Sequence, residues 1–155
     1  MQIANQRILV VHGSVSRINR FVFKSTAIEE KQAELELTPV DMVIGGHSGI
    51  PFGDRIGNRA WLNAGAIGLP ANDGTTDGWY LLLQPCSDGI EARWHRLRYD
   101  PVEEAAAMRR NGMETAYAET LLTGLWPSMD VLPECERHQR GQRLTVPFMR
   151  FQSEG

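Results

Sequence analysis

Cysteine is scarce. The 155 residues contain two, Cys86 and Cys135, far apart in sequence. Two isolated cysteines build neither a disulfide framework nor a zinc motif, so the expected compartment is a reducing cytosol, and the localisation read from the sequence is cytoplasmic. Long apolar runs are also missing. The longest are far too short to span a bilayer, which removes a membrane partner from consideration. The opening "MQIANQRILVVHGS" has a four-residue apolar stretch followed by His12 and Gly13. It lacks the length and the small-residue cleavage site of a secretion signal. Nor is there a basic cluster. The formal net charge is −3, which makes nucleic acid an unlikely ligand. Repeats, low-complexity tracts and linkers are absent, so residues 1–155 read as one domain.

What is present alternates between short apolar runs and glycine-rich loops. Ile8 to Val11 reads as a buried strand stopped by "HGSVS". Thr26 and Glu29 have the spacing of a capping box, predicting a helix of about a dozen residues that Pro39 ends. Residues 41–45 form a second strand, and "GGHSGIPF" follows. Gly57-Asn58 lies between two strand-like pieces and signals a hairpin. "NAGAIGLPANDG", residues 63–74, reads as a structured loop. Ser87-Asp88-Gly89 joins "GWYLLLQP" to "IEARWHRLRY" as a second hairpin. Asp100, Pro101 and Glu103 open a helix that Gly112 closes. A further helix carries Tyr117, Leu121 and Leu122 and ends near Gly124. The expected organisation is a core over 7–98, a helical extension over 100–126 and a polar tail over 127–155. The order of elements predicts an α/β (α+β) fold, a mixed sheet with helices packed on it.

Two loops at strand ends carry histidine, His12 in "VVHGS" and His47 in "IGGHSGIP". Ligand sites in open α/β sheets lie just beyond the carboxyl ends of strands. Neutral imidazole is the commonest side-chain ligand for transition metals. A shared metal site is one reading of the pair; loop histidines bonded to backbone are the other. "G-H-S-G" also resembles a nucleophile elbow centred on Ser48. However, Ile50 stands where that motif has its last glycine, and Pro51 opposes the helix an elbow enters. The plain reading of Ser48 is a turn residue. His95 sits on an alternating strand and His138 in a charged tail. Asp73 and Asp77 lack the spacing of a calcium loop. The four tryptophans read as packing residues.

Taken in order, "ILVVHGS", a helix, "DMVIGGHSGIPF", "WLNAGAIGLPANDG" and "GWYLLL" resemble the C-terminal half of bacterial calcineurin-like metallophosphoesterases, over about residues 7–84. The helix "YDPVEEAAAMRRNG" and "YAETLLTGLWPSMDVLP" are similar to the C-terminal ends of some members. The resemblance implies half of a two-sheet αββα sandwich and metal-dependent hydrolysis of a phosphoester. It assigns His12, in His12-Gly13, and His47, in Gly46-His47-Ser48-Gly49, to one metal of a dinuclear centre. The position of the second metal's histidine is Gly49. Asn63, Gly65 and Gly68 match the loop that follows the motif and is mainly structural. The implied cofactor is a divalent transition metal (Mn, Fe, Ni or Zn), with one site only because of Gly49.

The family's Asp-x-His, Gly-Asp and Gly-Asn-His motifs have no counterpart before Ile8. Catalysis is therefore expected only if an N-terminal half is supplied, for instance as a separate chain. The alternatives are a non-catalytic module that dimerises or binds a partner, and a serine hydrolase using Ser48. Two histidines alone do not fill the coordination of a transition metal. The inner sheet face, with Ile8, Val10 and Val43, is expected to be bare.

Overall fold

The structure, a computed structural model, describes residues 1–113 and 115–152. In chain order the elements are β1 (Gln2–Ile3), β2 (Gln6–Val10), α1 (Ile28–Glu36), β3 (Met42–Gly45), β4 (Phe52–Ile56), β5 (Arg59–Asn63), β6 (Gly78–Cys86), β7 (Gly89–Leu97), α2 (Pro101–Arg110), α3 (Thr115–Thr123), α4 (Glu134–His138) and β8 (Met149–Gln152). Among the described residues they form a five-stranded sheet ordered β1-β2-β3-β5-β4 and a three-stranded sheet ordered β6-β7-β8. The first sheet is mixed: β2, β3 and β5 run parallel, with Ile8 beside Met42, Val43 beside Trp61 and Gly45 beside Asn63. The second is antiparallel throughout. The fold class is the one the sequence predicts.

The period-two pattern of the parallel strands decides what each face buries, because successive side chains point to opposite sides. Ile8, Met42, Ile44, Ala60 and Leu62 face the second sheet and pack with Trp79, Ile90, Ala92, Trp94 and Phe151. Val43, Trp61, Phe52 and Ile56 face the other way, against Val22 and Leu35 of the α1 side. Both faces are therefore covered. This corrects the expectation of a bare apolar face: Ile8 and Val43 are buried, and of the three residues named only Val10 is exposed, at 57%. What the molecule leaves open are strand edges. No described strand pairs with the outer side of β6, and Leu9 and Val10 extend past the short β1.

Local signals are met at Asp100, whose side chain accepts from Val102 N and Glu103 N, with Pro101 in the first turn and Gly112 at φ +68° after the helix. The Gly57-Asn58 turn joins β4 to β5, with Gly57 at φ +60°. The Thr26–Glu29 box does not form. Ala27 is the N-cap of α1 and no side chain caps it, while Thr26 Oγ1 accepts from Phe23 N instead. The hydroxyl closes the preceding turn and is lost to the helix. The stretch expected as a polar tail is partly core. Leu132 and Phe151 are buried, and β8 completes the second sheet. Residues 153–155 of that tail lie outside the described residues. Among the described residues no helix is long and apolar enough to cross a membrane.

Candidate functional site

Three parallel strands end at one place. β2 delivers His12, β3 delivers Gly46, His47 and Ser48, and β5 ends on Asn63. The β2–β3 ladder runs past the strand ends. Val11 N donates to Ile44 O at 2.9 Å, and the His12 carbonyl accepts from both Gly46 N (2.9 Å) and His47 N (2.8 Å). That forked acceptor fixes the two histidine backbones relative to each other. Their rings lie 4.5 Å apart between centroids, tilted by 51°. Phe21 stacks on His47 at 4.2 Å and lies parallel to Phe23 at 5.9 Å. Burial pushes the His47 imidazole below its ordinary range, and repulsion from His12 adds to this. Both effects favour the neutral imidazole.

The glycines of the site have separate reasons. A Cβ on Gly13 would come within 2.5 Å of Ile18 O and 2.6 Å of Arg20 O, so the loop after His12 cannot close over any other residue. Gly65 has φ +79°, and a Cβ there would lie 2.6 Å from Trp79 Cβ. Gly68 meets nothing within 4 Å. The loop that follows Gly13 is clamped by α1. Buried Glu34 accepts from Ser16 N at 2.8 Å and pairs with Arg20 at 2.7 Å. Burial raises its carboxyl, but the bonds from Ser16 and Arg20 outweigh that and hold it below the ordinary value.

Ser48 is 1% exposed, and its hydroxyl accepts from Asn63 Nδ2 at 2.7 Å. Asn63 Oδ1 accepts from Gly65 N at 2.9 Å, so the asparagine ties the two loops together. A nucleophile elbow exposes its serine; here the serine is locked inside a turn, and the hydrolase alternative loses its geometric basis. Ser48→Ala is expected to leave Asn63 Nδ2 unpaired and cost about 1–2 kcal/mol of stability. Reaction with a fluorophosphonate probe should be absent in both forms. Labelling of the parent protein that disappears in the variant would restore the nucleophile.

The structure brings His12, Gly13, Gly46, His47, Ser48, Gly49, Asn63 and Gly65 together and leaves the other histidines and the two aspartates elsewhere. His95, on β7, stacks on Tyr80 at 5.2 Å. His138 ends α4. Asp73 and Asp77 both pair with Arg96. Gly49 has φ +65°, and Trp126 covers it from the C-terminal side. Phe21, Glu34 and Trp126 were not singled out as site residues by sequence reasoning. Their chemistry is ordinary, and only tertiary packing brings them here.

No protein-family model and no curated protein matches the sequence. Solved structures do. A metallophosphoesterase from Sphaerobacter thermophilus superposes with a TM-score of 0.67 at 19% identity, over 79% of this chain and 57% of that one. The fold is metallophosphoesterase-like. A hypothetical protein from Pyrococcus horikoshii OT3 superposes with a TM-score of 0.70 at 13% identity, over 81% of this chain and 50% of that one. This chain thus spans about half the length of the structures it matches.

The residues present do not fit a complete metal centre. Among the described residues no three His, Cys, Asp or Glu side chains converge on one point. The histidine pair offers two imidazole donors, and normal coordination needs four or more.

Proposed function

We propose that this chain is the histidine-bearing half of a metal-dependent phosphoesterase. The observation that supports the reading is the ring contact of His12 and His47 at the carboxyl ends of β2 and β3, on a metallophosphoesterase-like fold. The two imidazoles would hold one divalent metal of the Mn, Fe, Ni or Zn group. A complete centre there would supply Lewis-acid chemistry toward a phosphoester. The chain's own contribution is orientation. The forked bonds to His12 O set the spacing, Phe21 stacks on the His47 ring, and burial disfavours its protonation. The remaining ligands would come from a complementary polypeptide. The open edges of β2 and β6 are where its strands would add, since β6 carries no charged residue along Gly78–Cys86 and exposes Tyr80 and Leu82. A small phosphoester is the substrate class in this reading.

The test begins with the chain alone. Zinc titration should perturb the imidazole resonances of His12 and His47 together. His12→Ala or His47→Ala should abolish the response at the remaining partner. Hydrolysis of a bis-aryl phosphodiester should be absent until a complementary half is supplied. Imidazoles that ignore zinc would sink the reading. A second reading, a non-catalytic module that binds a partner through β6, rests on the same uncharged edge. Partner capture without metal-dependent turnover would favour it.

A further inference from the structure

Edge strands are ordinarily guarded by charge, by proline or by brevity. β4 carries Asp54 and Arg55, and β8 carries Arg150. β6 is nine residues long and has no charged residue. Tyr80 and Leu82 are 40% and 45% exposed on its outer face. On its inner face Leu81 and Leu83 are only half-buried against the core.

The backbone groups this edge offers are set by its ends. Trp79 N donates to Ala66 O at 2.8 Å, so the Trp79 amide points away from β7. Backbone groups alternate sides along a strand, and Leu81, Leu83 and Pro85 therefore turn the same way as Trp79. Pro85 agrees with that direction, because a proline is tolerated in a strand where its missing N–H faces outward. Among the described residues neither the Leu81 nor the Leu83 amide meets an acceptor on that side. Ala66 closes the edge at Trp79. The open stretch is Leu81 to Pro85.

We propose that a second copy of this chain fills that stretch, β6 pairing antiparallel with β6 about a two-fold axis at Leu83. The fit of the strand to itself selects this occupant. Leu83 faces Leu83 of the second copy, and the two exchange both backbone bonds. Leu81 N donates to Pro85 O of the second copy, and the axis repeats the bond. The unserved acceptor opposite Pro85, Leu81 O, lies at the solvent end. The residue opposite Trp79 is Ser87, beyond the end of β6, so the added strand stops where Ala66 closes the edge. Side chains match in the same register. Leu82 lies opposite Gln84 and Tyr80 opposite Cys86 on the outer face, and Leu81 opposite Pro85 on the inner one. No like charges meet, and the half-buried inner leucines complete each other's cover. The pairing does not rest on the phosphoesterase reading. A complementary chain that takes the β6 edge competes with it, and the β2 edge is left to that chain.

Sedimentation equilibrium of the full chain measures the pairing. The parent protein should approach the mass of a dimer as concentration rises. Leu82→Glu, at an exposed position, should keep the fold by circular dichroism and weaken association by about tenfold or more. Tyr80→Glu, at the other exposed position, should act likewise and reports if the first variant does not fold. Adding Gln84→Lys to Leu82→Glu should restore association, because this register sets the two new charges, of opposite sign, directly opposite each other. Val10→Glu, on the edge of the first sheet, should change nothing. A parent protein that is monomeric at every concentration overturns the pairing and leaves β6 to a different strand. A dimer that ignores both Leu82→Glu and Tyr80→Glu, or one lost in Val10→Glu, places the interface elsewhere and overturns it too. A double variant that stays monomeric overturns the register. None of these outcomes bears on the zinc response of His12 and His47.

Discussion

Asp54→Ala is expected to destabilise the protein by about 3–5 kcal/mol, because it strands a buried ammonium. Asp54 lies on β4 and meets Lys31 of α1, whose side chain is 1% exposed. Lys31 Nζ donates to Asp54 Oδ2 at 2.6 Å and to Lys24 O at 2.8 Å, and lies 5.0 Å from the Phe52 ring centroid. Lys24 pairs with the same carboxylate from the solvent side. Removing Asp54 leaves Lys31 one carbonyl and one ring face, with no counter-charge inside the packed layer. Lys31→Met combined with Asp54→Ala should recover most of the loss, since the cost comes from the unpaired charge. Urea unfolding of the two forms measures both numbers. A loss below about 1 kcal/mol in the single variant would show that water reaches Nζ and that the pair behaves as a surface one. The site would feel the change, because α1 also carries Glu34, which holds the loop after His12.

The second large effect is expected at Arg96. This residue of β7 ties three segments to the second sheet. Its guanidinium donates to Asp73 Oδ2 and to Leu144 O, each at 2.7 Å, and to Thr75 Oγ1 at 2.5 Å. It reaches Asp77 at 3.3 Å and lies over Trp79 at 4.4 Å. Asp73 is 3% exposed at its side chain, so Arg96→Met leaves a buried carboxylate without a cation and should cost about 3–5 kcal/mol. Protection of the amides around Leu144 from hydrogen exchange should fall with it.

Acid should expose the same linkage. Burial raises the Asp73 carboxyl, but the bonds from Thr75, Arg96 and Leu144 N outweigh it and hold the group below its ordinary 3.8. A carboxyl depressed in the folded state contributes stability above its unfolded value, and that contribution is lost as pH falls through the lower folded value. The parent protein should therefore weaken below about pH 4. In Arg96→Met the acid transition should begin at higher pH. An unmoved transition would mean that Asp73 is not among the groups that drive it.

The strands and turns nearest the histidines were legible because their signals are local. A β-branched run, a Gly-Asn turn and an Asp-Pro cap each act within a few residues, and β2, β3, the β4–β5 turn and α2 lie where those signals put them. The convergence of His12, His47 and Asn63 was legible in part, since all three sit just after apolar runs, and parallel strands gather their carboxyl ends. The rest depended on distance in sequence. Whether Thr26 would cap α1 or bond Phe23 N turns on how the chain enters the helix. Nothing in "TVPFMRFQ" says that Phe151 will reach the core, because a short apolar stretch in a polar tail carries the same pattern in either setting. Lys31 and Glu34 look like solvated helix residues until Asp54, Ser16 and Arg20 are placed beside them. Trp126 read correctly as packing, but its neighbour Gly49 lies far earlier in the chain, and no local pattern joins them.

The strand β8 has a consequence for time rather than for stability. Arg150 pairs with Glu91 across 59 positions, and the Gln6 side chain donates to Gln152 O across 146. Closing loops of that length comes late in folding, after the βαβ unit and the two hairpins can already have formed from near neighbours. Phe151 is the residue this strand adds to the core, beside Ile90. The slow step of refolding is therefore expected to be the docking of this last strand, at an edge far in sequence from the histidines.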